Sequence, residues 1–154
     1  MLKGFSLIEV IIAIGLFVIL MAGGAGIINL NHNSMRLAFE YDQAYAYLNE
    51  GIDITRNIKK SDWSDLQNGT HGLSENAGSY EFSGSSDTWG KYTREIVISD
   101  AYRDGDGNLD PSDSGTLDEN VKKITVNVSW DYSLVQAKSI RKTFYLTNWS
   151  LPII

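Results

Sequence analysis

The densest set of chemically competent side chains lies in Asp100-Ala-Tyr-Arg-Asp104-Gly-Asp106-Gly-Asn108-Leu-Asp110-Pro-Ser-Asp113. Oxygen-bearing residues at alternate positions around a glycine are how a short loop surrounds Ca²⁺. Set against an EF-hand loop, Asp104, Asp106 and Gly107 take the third, fifth and sixth positions. Asn108, Asp110 and Asp113 then take the seventh, ninth and twelfth. The first position falls on Tyr102, which is not a ligand, and Asp113 is shorter than the motif's closing Glu. A solvated acidic turn between two strands accounts for the same residues, because Asp and Gly both favour turns. Ca²⁺ held by Asp104, Asp106, Asn108, Asp110 and Asp113 is thus the single cofactor the sequence suggests, and no other is indicated.

Other chemistries lack their residues. The chain has no cysteine, which removes disulfides, thiol catalysis and thiolate metal sites. Its two histidines, His32 and His71, cannot build a multi-histidine metal centre, and both read as surface residues. Neither G-x-S-x-G nor H-E-x-x-H occurs. The carboxylates are numerous, but a glycosidase cleft needs a larger scaffold. Thirteen Lys and Arg against nineteen Asp and Glu give a net charge of −6, the wrong sign for nucleic acid. Trp63 and Trp89 read as packing anchors rather than ligand platforms. The sequence predicts no catalytic residue and no enzyme.

One carboxylate remains, and its position is costly. No charged residue occurs from Val10 to Leu30, a run of 21 residues, long enough to cross a bilayer as a helix. Glu9 stands at the edge of that run, and a carboxylate in lipid costs a few kcal/mol even on the lenient insertion scales. A plain anchor has no need of it, so Glu9 requires a partner. The start of the chain also differs from an ordinary signal peptide. Lys3 and Gly4 precede the apolar run, and no good small-residue cleavage site follows it.

Gly4-Phe5-Ser6-Leu7-Ile8-Glu9-Val10 resembles the signature of the type IV pilin and pseudopilin family. The resemblance implies that a prepilin peptidase cuts between Gly4 and Phe5 and methylates the new Phe5 amine. It also makes Glu9 the hallmark carboxylate of the family, paired during assembly with a Phe5 ammonium on the same or a neighbouring subunit. Weaker similarities point to minor pilins of the V type and to I-type pseudopilins of type II secretion. They lie in Leu48–Ile58, in Lys122–Trp130 and in the ending Tyr145-Leu-Thr-Asn-Trp149. The implied partners are other pilin subunits, the prepilin peptidase, an inner-membrane assembly platform and, before assembly, membrane lipid. The implied location is the cytoplasmic membrane, crossed once with the N-terminus inside, and afterwards an extracytoplasmic fibre at the cell surface.

The elements that would position these residues follow from periodicity. The resemblance makes residues 1–4 the leader and 5–30 the transmembrane and assembly helix. The helix continues to about residue 60 within a soluble domain of residues 31–154. Leu37, Tyr41, Ala44, Tyr45, Leu48, Ile52, Thr55 and Ile58 recur at helical steps and predict one face to be covered by a sheet. Gly23-Gly24-Ala25-Gly26 marks a zone where the helix could bend, and Gly51 weakens it locally. Residues 61–91 are rich in Gly, Ser, Asn and Asp and predict a loop with one short strand near Tyr80–Phe82. Residues 92–149 predict an antiparallel sheet. Tyr92–Ser99, Val121–Tyr132 and Ser139–Thr147 alternate with period two, and the last two are joined as a hairpin through Leu134–Ala137. The expected fold is α+β, a long N-terminal helix packed on a small antiparallel sheet, as in pilins. The expected function is that of a structural minor pilin. A pseudopilin of a type II secretion system is the alternative, and a membrane-anchored, calcium-dependent binding domain is the alternative of another class.

Overall fold

A computed structural model describes residues 6–133 and 136–148. The chain is α+β: an N-terminal helix followed by a six-stranded antiparallel sheet, consistent with a pilin fold. The helix, α1, runs Leu7–Ser61 and is continuous through the glycines at 23, 24 and 26. Two units divide at residue 41, and each is taken by itself.

In the first unit, Met1–Tyr41, α1 carries the apolar run. Every described residue from Ser6 to Gly24 is exposed, with Leu7 at 79%. Leu7–Gly24 is long and apolar enough to span a membrane. A contiguous apolar surface of this extent does not stay in water.

In the second unit, Asp42–Ile154, the end of α1 covers one face of the sheet. Ala44, Tyr47, Leu48, Ile52, Ile54, Thr55 and Ile58 are buried. Tyr45, which helical spacing places in the stripe, is instead 53% exposed, and Tyr47 and Ile54 are buried in its place. Apolar steps of three and four allow two adjacent faces, and only the sheet selects one.

The strands are β1 (Gly69–Asn76), β2 (Ser79–Ser83), β3 (Asp87–Trp89), β4 (Tyr92–Arg103), β5 (Thr116–Ser133) and β6 (Gln136–Thr147). Their order is β2-β1-β4-β5-β6, with β3 also on β4. One edge of β4 is shared: β1 pairs opposite Ile96–Ile98 and β3 opposite Tyr92–Arg94. The other edge pairs with β5, with an irregularity between Asp100 and Ala101. The period-two reading holds on β4 and β5: Ile96, Ile98, Ile124, Val126, Val128 and Trp130 are buried. Burying each such aliphatic chain contributes about 1.5–3 kcal/mol. On β6, Ile140, Phe144 and Leu146 are only half-buried. The junction residues Leu134 and Val135, and Trp149, lie outside the described residues.

Residues 61–91 correct the expected loop. They hold a 3₁₀ turn, Trp63–Asp65, and three strands, of which only the Tyr80–Phe82 strand was legible in sequence. The missed strands are polar and bound by backbone ladders rather than by alternating apolar side chains. Gly72 shows the constraint: a Cβ there would stand 2.4 Å from the Ser86 carbonyl carbon, so the chain at 84–86 crosses it only because it is glycine.

Candidate functional site

Three places were singled out by chemistry. The first is the helix start. Gly4 and Phe5 lie outside the described residues, so the expected cut and methylation site has no geometry here. Glu9 is described. It stands three residues after Ser6, and the Ser6 N–H donates to Glu9 Oε2 at 3.4 Å. The Glu9 N–H donates in turn to the Ser6 carbonyl at 3.0 Å. This is half of an S-x-x-E capping box, in which the glutamate returns to satisfy an orphan N–H at the helix start. Its signal in the sequence is Ser6-Leu-Ile-Glu9. The bond is long, and the carboxylate stays on the surface beside Val10, Ala13, Ile14 and Phe17. The glycines of the run are bare as well: a Cβ at Gly15, Gly23 or Gly24 would meet nothing within 4 Å.

The second place is the acidic loop, which joins β4 to β5. Its carboxylates face different partners. Asp104 Oδ1 accepts the N–H groups of Asp106 (3.0 Å) and Asn108 (2.8 Å), and the Asn108 side chain donates to Asp104 Oδ2 at 3.5 Å. Asp110 accepts the N–H groups of Ser112 (2.9 Å) and Ser114 (3.0 Å), and both hydroxyls. Those bonds, led by the Ser112 hydroxyl, hold its carboxyl well below the usual carboxylate range. Asp113 pairs with Lys123 Nζ at 2.7 Å and raises the lysine's pKa. Arg103 binds Asp118 at 2.6 Å and the Gly107 carbonyl at 2.7 Å, tying the loop's two margins together. In this arrangement Asp104, Asp106, Asn108, Asp110 and Asp113 do not converge on a cation. Among the described residues no group of three or more Asp, Glu, His or Cys side chains is placed to hold a metal ion. The loop is closed by side chain-to-backbone bonds and ion pairs.

His32 is exposed on α1. His71 lies on β1 rather than in a loop, with Nε2 2.9 Å from the Gln67 carbonyl and its ring 5.2 Å from that of Phe82.

The third place was missed by sequence reasoning. Arg94, on β4, points from the core face of the sheet toward the helix, and its side chain is only 4% exposed. Asp87, on β3, receives it with both oxygens: Nη2 to Oδ2 at 2.7 Å and Nε to Oδ1 at 3.3 Å. Arg94 Nη1 donates to the Tyr47 carbonyl at 3.0 Å and reaches Glu50 at 3.4 Å. The guanidinium also lies over the Tyr47 ring, 4.0 Å from its centroid. Asp87 accepts further bonds from the Tyr47 hydroxyl and from the Leu73 N–H, the latter at 3.0 Å. Burial and the bond to Asp87 push the Tyr47 hydroxyl well above the ordinary tyrosine range. One buried ion pair thus joins α1, β1, β3 and β4. Such a pair specifies an arrangement more than it adds net stability. The only sequence signal was an arginine in phase with Tyr92, Ile96 and Ile98, a charge on the face that the alternation marks as buried.

Residues 3–25 match the family described as the prokaryotic N-terminal methylation motif. No curated protein and no solved structure matches the chain. From Leu7 onward the matched segment lies on the apolar helix, and the chain carries the signature of the type IV pilin family.

Proposed function

We propose that this chain is a minor type IV pilin, a structural subunit built into a pilus-like fibre. It is stored in the cytoplasmic membrane through Leu7–Gly24, cut between Gly4 and Phe5 by a prepilin peptidase, and methylated at the new Phe5 amine. An assembly platform then moves it into the fibre beside other pilin subunits. The observation that carries this reading is the methylation motif at residues 3–25, which from Leu7 to Gly24 runs along a helix whose apolar side chains are exposed. In the membrane, lipid covers that surface, and in a fibre the helices of neighbouring subunits do. The open faces at Gly15, Gly23 and Gly24 favour such contact, since small residues let helix backbones approach closely. Glu9, at the membrane edge, neutralises a Phe5 ammonium as the helix enters the apolar bundle and so sets the register of docking. The signature implies a structural role, and no catalytic step is assigned.

Two measurements test the reading. The native membrane protein should begin at Phe5 and carry one methyl group on that N-terminal amine. Retention of Met1, or an N-terminus near Gly26, overturns it. A tagged chain should then be recovered with fibres sheared from the cell surface. Processed protein that never reaches sheared fibres, together with loss of secretion when the gene is removed, assigns it instead as a pseudopilin of a type II secretion system.

A further inference from the structure

The Arg94–Asp87 pair forms the floor of a cleft of 510 Å³ in the second unit, with Tyr47, Glu50, Tyr80, Thr88 and Trp89 around it. That volume lies within the usual range for small-molecule sites, about 300–1,000 Å³. Two aromatic rings in its wall stay open. Trp89 is 53% exposed and Tyr80 is 41% exposed. Trp89 is nevertheless fixed: it stacks on Tyr92 with ring centroids 5.9 Å apart and planes 18° apart, and leans on Tyr47 at 6.0 Å. An indole braced on one side and open on the other is a rigid platform, offering apolar contact at little cost in side-chain entropy.

The polar groups narrow the occupant. Both oxygens of Asp87 and all three guanidinium nitrogens of Arg94 already have partners. The floor is therefore a satisfied, mutually neutralised pair with no pull on an ion. Glu50, with a half-exposed side chain, adds a negative charge that disfavours an anion. The Tyr80 and Thr88 hydroxyls make no hydrogen bond among the described residues. What remains is an open aromatic face, a carboxylate that accepts, and two hydroxyls that donate or accept. A sugar ring presents the complement: a face of C–H groups for the indole and an edge of hydroxyls for the polar groups. We infer that this cleft binds a neutral sugar unit, its C–H face on Trp89 and its hydroxyls toward Glu50, Thr88 and Tyr80. The inference rests on the cleft alone and stands or falls independently of assembly into a fibre.

The test uses the full chain in detergent micelles, titrated with cellotetraose and with the N-acetylglucosamine tetramer while tryptophan emission is followed. Saturable binding to at least one sugar is expected, with a dissociation constant below about 10 mM. Trp89→Ala should weaken it by about tenfold or more, as for a truncated aromatic anchor. Because Trp89 also braces Tyr92 and Tyr47, a second variant removes no contact: Ala46→Trp places a bulky ring at the cleft's exposed helical wall and should block binding, with the melting temperature held within about 3 °C. Trp63→Phe, outside the cleft, should leave binding unchanged. Failure of wild type to bind either sugar overturns the inference. So does binding that persists in both Trp89→Ala and Ala46→Trp.

Discussion

Gly51 lies directly over the Arg94 side chain: a Cβ built on Gly51 would stand 2.8 Å from Arg94 Cδ and 3.2 Å from its Nη1. The glycine that weakens the helix in sequence is the one that lets a buried arginine pass beneath it. Gly51→Ala should therefore destabilise the protein even though alanine is the better helix former. Overpacking costs about 1–3 kcal/mol against a propensity gain of about 1 kcal/mol. A lower melting temperature is the expected result, and an increase would show that Arg94 yields freely.

Removing Asp87 should cost more than removing the whole pair. Asp87→Ala leaves a buried guanidinium with Glu50 as its only acidic neighbour among the described residues, at 3.4 Å and half-exposed. The loss should lie near the low end of the range for a broken buried pair, about 3–5 kcal/mol. Arg94→Met combined with Asp87→Ala should recover a good part of it. Chemical denaturation of the four proteins of this cycle measures the coupling, and simple additivity would mean that the pair is not coupled.

The Tyr47 hydroxyl makes stability sensitive to alkali. Its pKa is raised in the fold, by burial first and by the bond to Asp87 second. A raised pKa contributes stability that is fully present below the unfolded value of 10.0 and is lost as pH climbs through the folded value. Melting temperature should therefore fall above that pH, and fall less steeply in Tyr47→Phe. Identical alkaline slopes would place the sensitivity in other groups.

Calcium should leave the acidic loop unmoved. Asp104, Asp110 and Asp113 are engaged by backbone amides, serines and Lys123. A bound ion stabilises the native state by mass action, so several millimolar Ca²⁺ gives no rise in melting temperature unless the loop rearranges. A rise abolished by Asp106→Ala would demonstrate that rearrangement.

Two substitutions at Glu9 separate capping from charge pairing. Glu9→Gln keeps a side-chain oxygen able to cap Ser6, since glutamine also serves in capping boxes. It removes the charge that a Phe5 ammonium needs. Glu9→Val removes both. Under the pairing role, both variants insert into the membrane and lose their leader, and neither co-purifies with sheared fibres. An unpaired buried ammonium costs about 3–5 kcal/mol. Normal incorporation of Glu9→Gln alone would leave capping as the function of Glu9.

Local rules made much of this chain legible as sequence. The uncharged run after Glu9, the methylation motif of residues 3–25 and the alternation through Val121–Trp130 each depend on neighbours a few residues away, so they survive without tertiary knowledge. Which helix face is buried does not. Tyr45 and Tyr47 both suit a stripe of threes and fours, and the sheet alone turns Tyr47 inward. Likewise, the carboxylates of 104–113 have metal-like spacing, but a fold decides whether they converge, and Lys123 from β5 and the serines at 112 and 114 draw them apart. The Arg94–Asp87 pair was the least legible. Its members come from β4 and β3, its cover from Tyr47 on α1, and its space from Gly51. A charge is stable at so buried a position only when those four residues meet, and no interval along the chain records that they do.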